Sequence, residues 1–318
     1  MDGLAPDRAV AEAARATPPA APARTSSAAI GLLKTLRPHQ WIKNVFVAAP
    51  LVFARQLGNL DYVLTTALAV LAFCALSGAV YAFNDVRDVD ADRRHPTKRH
   101  RPVAAGHLSE RAALTWAAVL AVGALAGCLL IDWKLAAFAA AYLVQNVAYT
   151  LRLKQIAFLD VTLIASGFLL RVLAGAAAIS VPASGWLLLC TALLAMFLGF
   201  GKRAHELAWA ERTGGAAATR AALAGYRLDV LRVAMLVLAA ATCAAFLVYT
   251  LDPHTIEYFG TDKLVYSSPF VAFGIVRFLF LALWWPKDES PTEAMLKDPW
   301  FLLDLTAATA TMLYVIYA

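Results

Sequence analysis

Nine stretches of the chain are apolar almost throughout, and the charge is concentrated in the short segments between them. The runs lie at about 41–57, 60–83, 112–131, 133–151, 157–180, 185–200, 230–251, 266–285 and 300–318, each of spanning or near-spanning length. The pattern predicts an all-α bundle of nine transmembrane helices in a single domain over 29–318. Two runs are the least regular: the first contains Pro50 together with Lys43 and Asn44, and 185–200 is short. Ahead of them, residues 1–28 are rich in Ala and Pro with scattered Arg and Ser. Such a composition buries no core, so a disordered, dispensable tail is expected. Its acids Asp2, Asp7 and Glu12 disfavour a transit peptide, and no apolar stretch follows its positive charges as in a signal peptide.

Composition agrees with the pattern. Of 318 residues, 61% are hydrophobic and 16% charged, against about 45–50% and about a quarter in soluble proteins, so the chain is read as an integral membrane protein. The net charge of +6 does not indicate nucleic acid, because the basic residues sit beside apolar runs, where they set topology and meet anionic lipid or substrate. Segments 1–43, 84–111, 152–154, 201–232 and 286–298 together hold 23 Lys and Arg, whereas the intervening loops hold only Arg55, Lys134 and Lys263. That asymmetry predicts a cytoplasmic N-terminus, an outer C-terminus and a cytoplasmic active face. Cys74, Cys128, Cys190 and Cys243 stand singly in apolar runs and read as small buried hydrophobes.

The segment 84–106, NDVRDVDADRRHPTKRHRPVAAG, carries the densest chemistry. If the preceding helix continues, Asn84, Asp85, Asp88 and Asp92 line one face a turn apart. Carboxylates so crowded repel one another unless a hard cation sits among them, and Mg²⁺ takes one or two carboxylates plus substrate phosphate oxygens. Arg93, Arg94, Lys98, Arg99 and Arg101 follow as donors for anionic oxygens. Acid then base reads as a Mg–diphosphate cradle; a solvated basic loop obeying the positive-inside rule explains the arginines but not the spaced acids.

Lesser groups surround it. Lys43 and Asn44 lie at the mouth of the first run, and Tyr149, Lys154 and Asp160 cluster where the fourth and fifth runs meet. Lys154 is a candidate phosphate ligand, and Asp160 a candidate for a metal shell or sugar hydroxyls. Arg171 and Arg277 lie within apolar runs, where a charge needs a partner. For Arg171, bonding backbone carbonyls between helices and binding lipid phosphate stay open together; for Arg277, snorkelling is expected. Lys202, Arg203 and Glu206 open the second large loop as GKRAHEL; an i,i+4 pair of Lys202 with Glu206 is the bland reading, a second half-site the functional one. Asp304 is expected to pair with a basic neighbour. No GxGxxG, P-loop, HExxH or GxSxG motif is present.

These residues resemble the UbiA superfamily of intramembrane prenyltransferases, whose first cytoplasmic loop has the pattern NDxxDxxxD, met by Asn84, Asp85, Asp88 and Asp92. RPHQWIKN (37–44), the 84–106 segment, DVTLIASGFLLRVLAGA (160–176) and GKRAHEL (201–207) carry the likeness, which covers 32–318. It implies nine helices, Mg²⁺, a multi-pass place in a bacterial inner membrane and catalytic roles for Asp85, Asp88 and Asp92. Superfamily members usually place a second Asp-rich motif where this chain has Lys202, Arg203 and Glu206. The exchange lowers metal capacity and raises phosphate capacity. It suits the branch that transfers a 5-phosphoribosyl group from phosphoribosyl pyrophosphate to a polyprenyl phosphate lipid with release of diphosphate. An aromatic prenyltransferase using a polyprenyl diphosphate is the alternative within the fold, and a lipid transporter the alternative outside it. Homo-oligomerisation stays open.

Overall fold

The computed structural model describes residues 26–95, 97–212, 221–284 and 290–318. The expected tail lies outside them except for its last three residues, which open helix α1, Ser26–Thr35. The first apolar run does not form one helix. Arg37, at φ 47 and ψ 64, leads into a 3-10 segment, Pro38–Val47, and a short α2, Ala49–Phe53, follows with Pro50 in its first turn, where a missing N–H breaks no helical bond.

Four of the long helices start where polar side chains satisfy their free N–H groups. Asn59 accepts from Asp61 and Tyr62 at the head of α3, Leu60–Arg87. After the short α4, Val89–Arg94, Ser109 caps α5, Glu110–Ile131, and Asp132 caps α6, Trp133–Leu151. Then come α7, Leu159–Ala178, α8, Gly185–Arg212, α9, Leu228–Leu251, and the short α10, Pro253–Phe259. The chain closes with α11, Ser268–Leu283, α12, Pro291–Leu296, and α13, Pro299–Tyr317, capped by Asp298.

Among the described residues, seven helical stretches are long and apolar enough to cross a bilayer by length and composition: α3, α5, α7, α8, α9, Lys263–Leu283 and α13. Of the other two expected spans, 133–151 is the continuous helix α6, whose apolar run is interrupted by Gln145 and Asn146, and 41–57 is the broken segment just described. The run at 185–200 continues as helix to Arg212, so 201–207 is helical rather than the start of a loop. Apolar periodicity marks where a helix meets lipid, whereas Ala204, Glu206, Leu207 and Ala208 are strong helix formers that carry the turns onward.

The bundle has two packed halves. One centres on Phe197, Leu231, Met235 and Phe278 of α8, α9 and α11. The other joins α3, α5, α6 and α7 through Phe73, Leu76, Leu135 and a set of alanines, Ala69, Ala124, Ala139 and Ala174. Lipid offers no hydrophobic drive between helices, so small residues that allow close approach do the packing. The closest approach is at Gly175, where a Cβ would lie 1.9 Å from the Val47 carbonyl oxygen; this contact seats the 3-10 segment on α7. Leu68, Val122, Leu130 and Val233 face outward, as lipid-facing positions do.

Arg277, expected to snorkel, meets the start of α13: its Nη2 and Nε donate to both oxygens of Asp298, at 2.6 and 3.2 Å. Asp304, expected to pair with a basic neighbour, is buried against α11 near Gly274 and has no ion pair among the described residues.

Candidate active site

The acidic residues lie where α3 ends. Asn84 and Asp85 occupy its last turn, Asp88 closes α3 and opens α4 at φ −100 and ψ 9, and Asp92 lies in α4. The break is shallow, since the Asp88 N–H still reaches the Asn84 carbonyl and the Asp92 N–H the Asp88 carbonyl, at 2.9 and 2.8 Å. Even so, the carboxylates do not share one face. Asp85 and Asp92, both buried, converge on Arg101, whose Nη1 lies 3.3 and 2.7 Å from them. Arg37 donates to the same Asp85 oxygen at 2.5 Å and stacks over Tyr81. Asp88 turns aside to Lys154, whose Nζ reaches its two oxygens at 2.8 and 3.0 Å.

The repulsion between these acids is thus offset by three cations of the chain itself. Among the described residues no three His, Cys, Asp or Glu side chains come together as a metal-holding group; in the shell expected from Asn84, Asp85, Asp88 and Asp92, the three carboxylates face cations of the chain. Two of its oxygens are nevertheless buried with no donor, Asn84 Oδ1 and Asp85 Oδ2. Carboxylate and amide oxygens without a donor are the type a hard cation such as Mg²⁺ takes. Arg99, by contrast, is exposed and touches only His100 among these groups.

Beside the acids lies a group of cations. Lys43, in the 3-10 segment, is within electrostatic reach of Lys202, Arg171 and Arg37, and of the acid Glu293. Lys202 is exposed on α8. Arg171 is buried in α7 and donates to Asn44 Oδ1 at 2.8 Å, the Gly167 carbonyl at 2.9 Å and Tyr142 Oη at 2.9 Å, with the Tyr142 ring 4.6 Å from its guanidinium carbon. Both Arg171 and Asn44 therefore tie the 3-10 segment, α6 and α7 together, the helix-locking role.

Asp160, Arg203 and Glu206 form a third group. Asp160 and Arg203 are 0% and 1% exposed, with Arg203 Nε 2.7 Å from Asp160 Oδ2 and Arg203 Nη1 on Glu206. Glu206 thus pairs with Arg203, three residues earlier on the same helix. Arg203 and Asp160, expected to meet phosphate and sugar, are here each engaged by protein and turned away from solvent. Tyr149 lies near Arg203. Tyr226 Oη donates to Asp160 Oδ1 at 2.5 Å; burial and this carboxylate push its phenol well above the usual range, so it stays a neutral donor. Arg37 and Tyr226 escaped the sequence reading. Arg37 lies in the RPHQWIKN segment, where nothing in its spacing marks a role, and Tyr226 lies in a connection with no periodicity to single it out.

The sequence model described as the UbiA prenyltransferase family matches residues 44–304. A decaprenyl-phosphate phosphoribosyltransferase from Mycobacterium tuberculosis is 38% identical over 251 residues, 77% of this chain and 82% of that one. The protein of the same name from Mycolicibacterium smegmatis is 43% identical over 206 residues, 64% of each chain. A UbiA homologue from Archaeoglobus fulgidus, solved bound to DMAPP and Mg²⁺, aligns over 90% of this chain and 99% of its own with a TM-score of 0.67 at 19% identity. This last likeness concerns the fold.

Proposed function

Because the chain belongs to the UbiA prenyltransferase family, and is an integral membrane transferase, we propose that it moves a 5-phosphoribosyl group from phosphoribosyl pyrophosphate to a decaprenyl-type phosphate with release of diphosphate. The relatives named decaprenyl-phosphate phosphoribosyltransferase support the transfer. The observation that carries the donor assignment is the grouping of Lys202, Arg171 and Arg37 about Lys43, next to Asp85 through Arg37. Excess positive charge at a low-dielectric site favours an anion, and this donor carries a diphosphate and a further 5-phosphate.

In this reading Lys43 and Lys202 receive phosphate oxygens, while Arg171 and Asn44 hold Lys43's segment in place. Asn84, Asp85, Asp88 and Asp92 would hold Mg²⁺, as supported by their two spare buried oxygens. When bound, such an ion neutralises charge on a leaving diphosphate. Arg37, Arg101 and Lys154, now on these acids, are placed to steady phosphate oxygens by charge-assisted bonds. The acceptor's phosphate monoester has its second pKa at about 6, so it is ionised at neutral pH and attacks the anomeric carbon without a dedicated base. The distribution of Lys and Arg supports an acid-bearing face toward the cytoplasm, nine membrane passages counting the broken first segment, and a bacterial inner-membrane location.

The test is to incubate membranes containing the chain with labelled phosphoribosyl pyrophosphate, decaprenyl phosphate and Mg²⁺. Label extracted into the lipid phase, lost on chelation and restored by Mg²⁺, is expected. Label that stays in water, while a prenyl diphosphate modifies an aromatic acceptor, would move the assignment to the prenyltransferase alternative.

A further inference from the structure

The entry into α7 is built unlike those of α3, α5 and α6, which polar side chains cap. Its first residue is preceded not by a polar cap but by Phe158, at φ 67 and ψ −44 with no side-chain cap. The Leu159 N–H turns back to the Ala157 carbonyl at 2.8 Å, closing a three-residue γ-turn of the rare positive-φ kind. A bulky L-residue holds such a conformation only when its surroundings over-determine it, and such places cluster at functional sites.

What over-determines this one is Tyr226. The Phe158 N–H donates to Tyr226 Oη at 2.7 Å, and the same oxygen donates its proton to Asp160. The two rings lie 4.9 Å apart. Gly225 comes so near that a Cβ there would stand 2.7 Å from that of Ala157. One hydroxyl therefore joins the connection between α8 and α9 to both sides of the γ-turn. Four residues before that turn stands Lys154, in the 3-10 turn Leu153–Gln155, holding Asp88.

We infer that Tyr226 is a positioning residue: its hydroxyl keeps Phe158 in the γ-turn and thereby sets the 153–158 connection so that Lys154 meets the acidic segment. The proposed transfer enters only as a readout. Three variants test the role: Tyr226→Phe, Phe158→Gly, and the two together. Glycine adopts positive φ without a Cβ penalty, so it makes the turn without help from the hydroxyl.

Tyr226→Phe is expected to lower kcat/KM for transfer at least tenfold. Phe158→Gly alone should stay near wild type, and the double variant should regain most of the lost activity. The Tm lost on Tyr226→Phe should likewise be smaller in the Phe158→Gly background. A Tyr226→Phe enzyme with unchanged kinetics would overturn the inference. So would a loss that glycine fails to restore, since the hydroxyl would then act on Asp160 or substrate and not on the turn. The melting cycle decides the same question if no variant transfers phosphoribose or if Tyr226→Phe folds poorly. Equal Tm losses in the two backgrounds would refute the coupling, while the fate of the transfer reaction would be judged separately.

Discussion

Lys202 and Arg203 are neighbours in sequence and opposites in the fold. Lys202 is exposed and Arg203 buried on Asp160 and Glu206, so Lys202→Gln and Arg203→Gln should fail in different ways. The first removes a charge-assisted bond of roughly 1.5–3 kcal/mol to a donor phosphate. It should raise the KM for phosphoribosyl pyrophosphate about ten- to a hundredfold at unchanged Tm. The second leaves Asp160 charged and unpaired in the interior, a loss of about 3–5 kcal/mol, and should show first as a fall in Tm. If Arg203→Gln melted like wild type and Lys202→Gln kept its donor KM, both assignments would be wrong. Asp88→Asn and Asp92→Asn should each cut turnover by orders of magnitude with membrane insertion unchanged, and melting should change little for the partly exposed Asp88. Near wild-type turnover of either at saturating Mg²⁺ would remove the acids from the reaction. The residue types and their spacing made these candidates visible from sequence; which of two adjacent cations looks outward was not visible, because it depends on the rotation of α8 against α7.

At the scale of elements, the bundle depends on a backbone-to-backbone contact that no hydropathy pattern records. Gly175→Ala would drive a Cβ into the Val47 carbonyl and should cost about 1–3 kcal/mol, the range for overpacking, read as a lowered Tm in detergent. An unchanged Tm would mean the 3-10 segment is free to shift. A second test concerns α11 and α13. The Arg277 guanidinium, through its hydrogen bonds, holds the Asp298 carboxyl below its usual range. A carboxylate whose folded pKa is depressed adds stability above its unfolded value of about 3.9, and loses it as pH falls through the lower folded value. Wild type should therefore lose Tm below about pH 4 more steeply than Arg277→Gln; parallel curves would show the pair to be idle.

For the whole molecule, the site residues begin at Arg37 and the family match at residue 44, so deleting residues 2–25 should leave transfer activity intact, measured on membranes with matched protein levels. A well-inserted but inactive truncation would give the segment a role. The chain by itself determined the membrane class, seven of the spans, the helix at 133–151 and the family, because these rest on local run length, charge asymmetry and one acidic motif. Only the tertiary structure decided that the first run breaks into a 3-10 segment, that α8 outlasts its apolar run, and that Asp304 stands without an ion pair among the described residues. It also decided that Asp85 and Asp92 share Arg101 while Asp88 takes Lys154 from 66 residues away. The physical reason is one of range: hydropathy and spacing act within a few turns, whereas the partner of a buried charge is whichever donor the packing of distant helices brings within three ångströms, roughly hydrogen-bond distance.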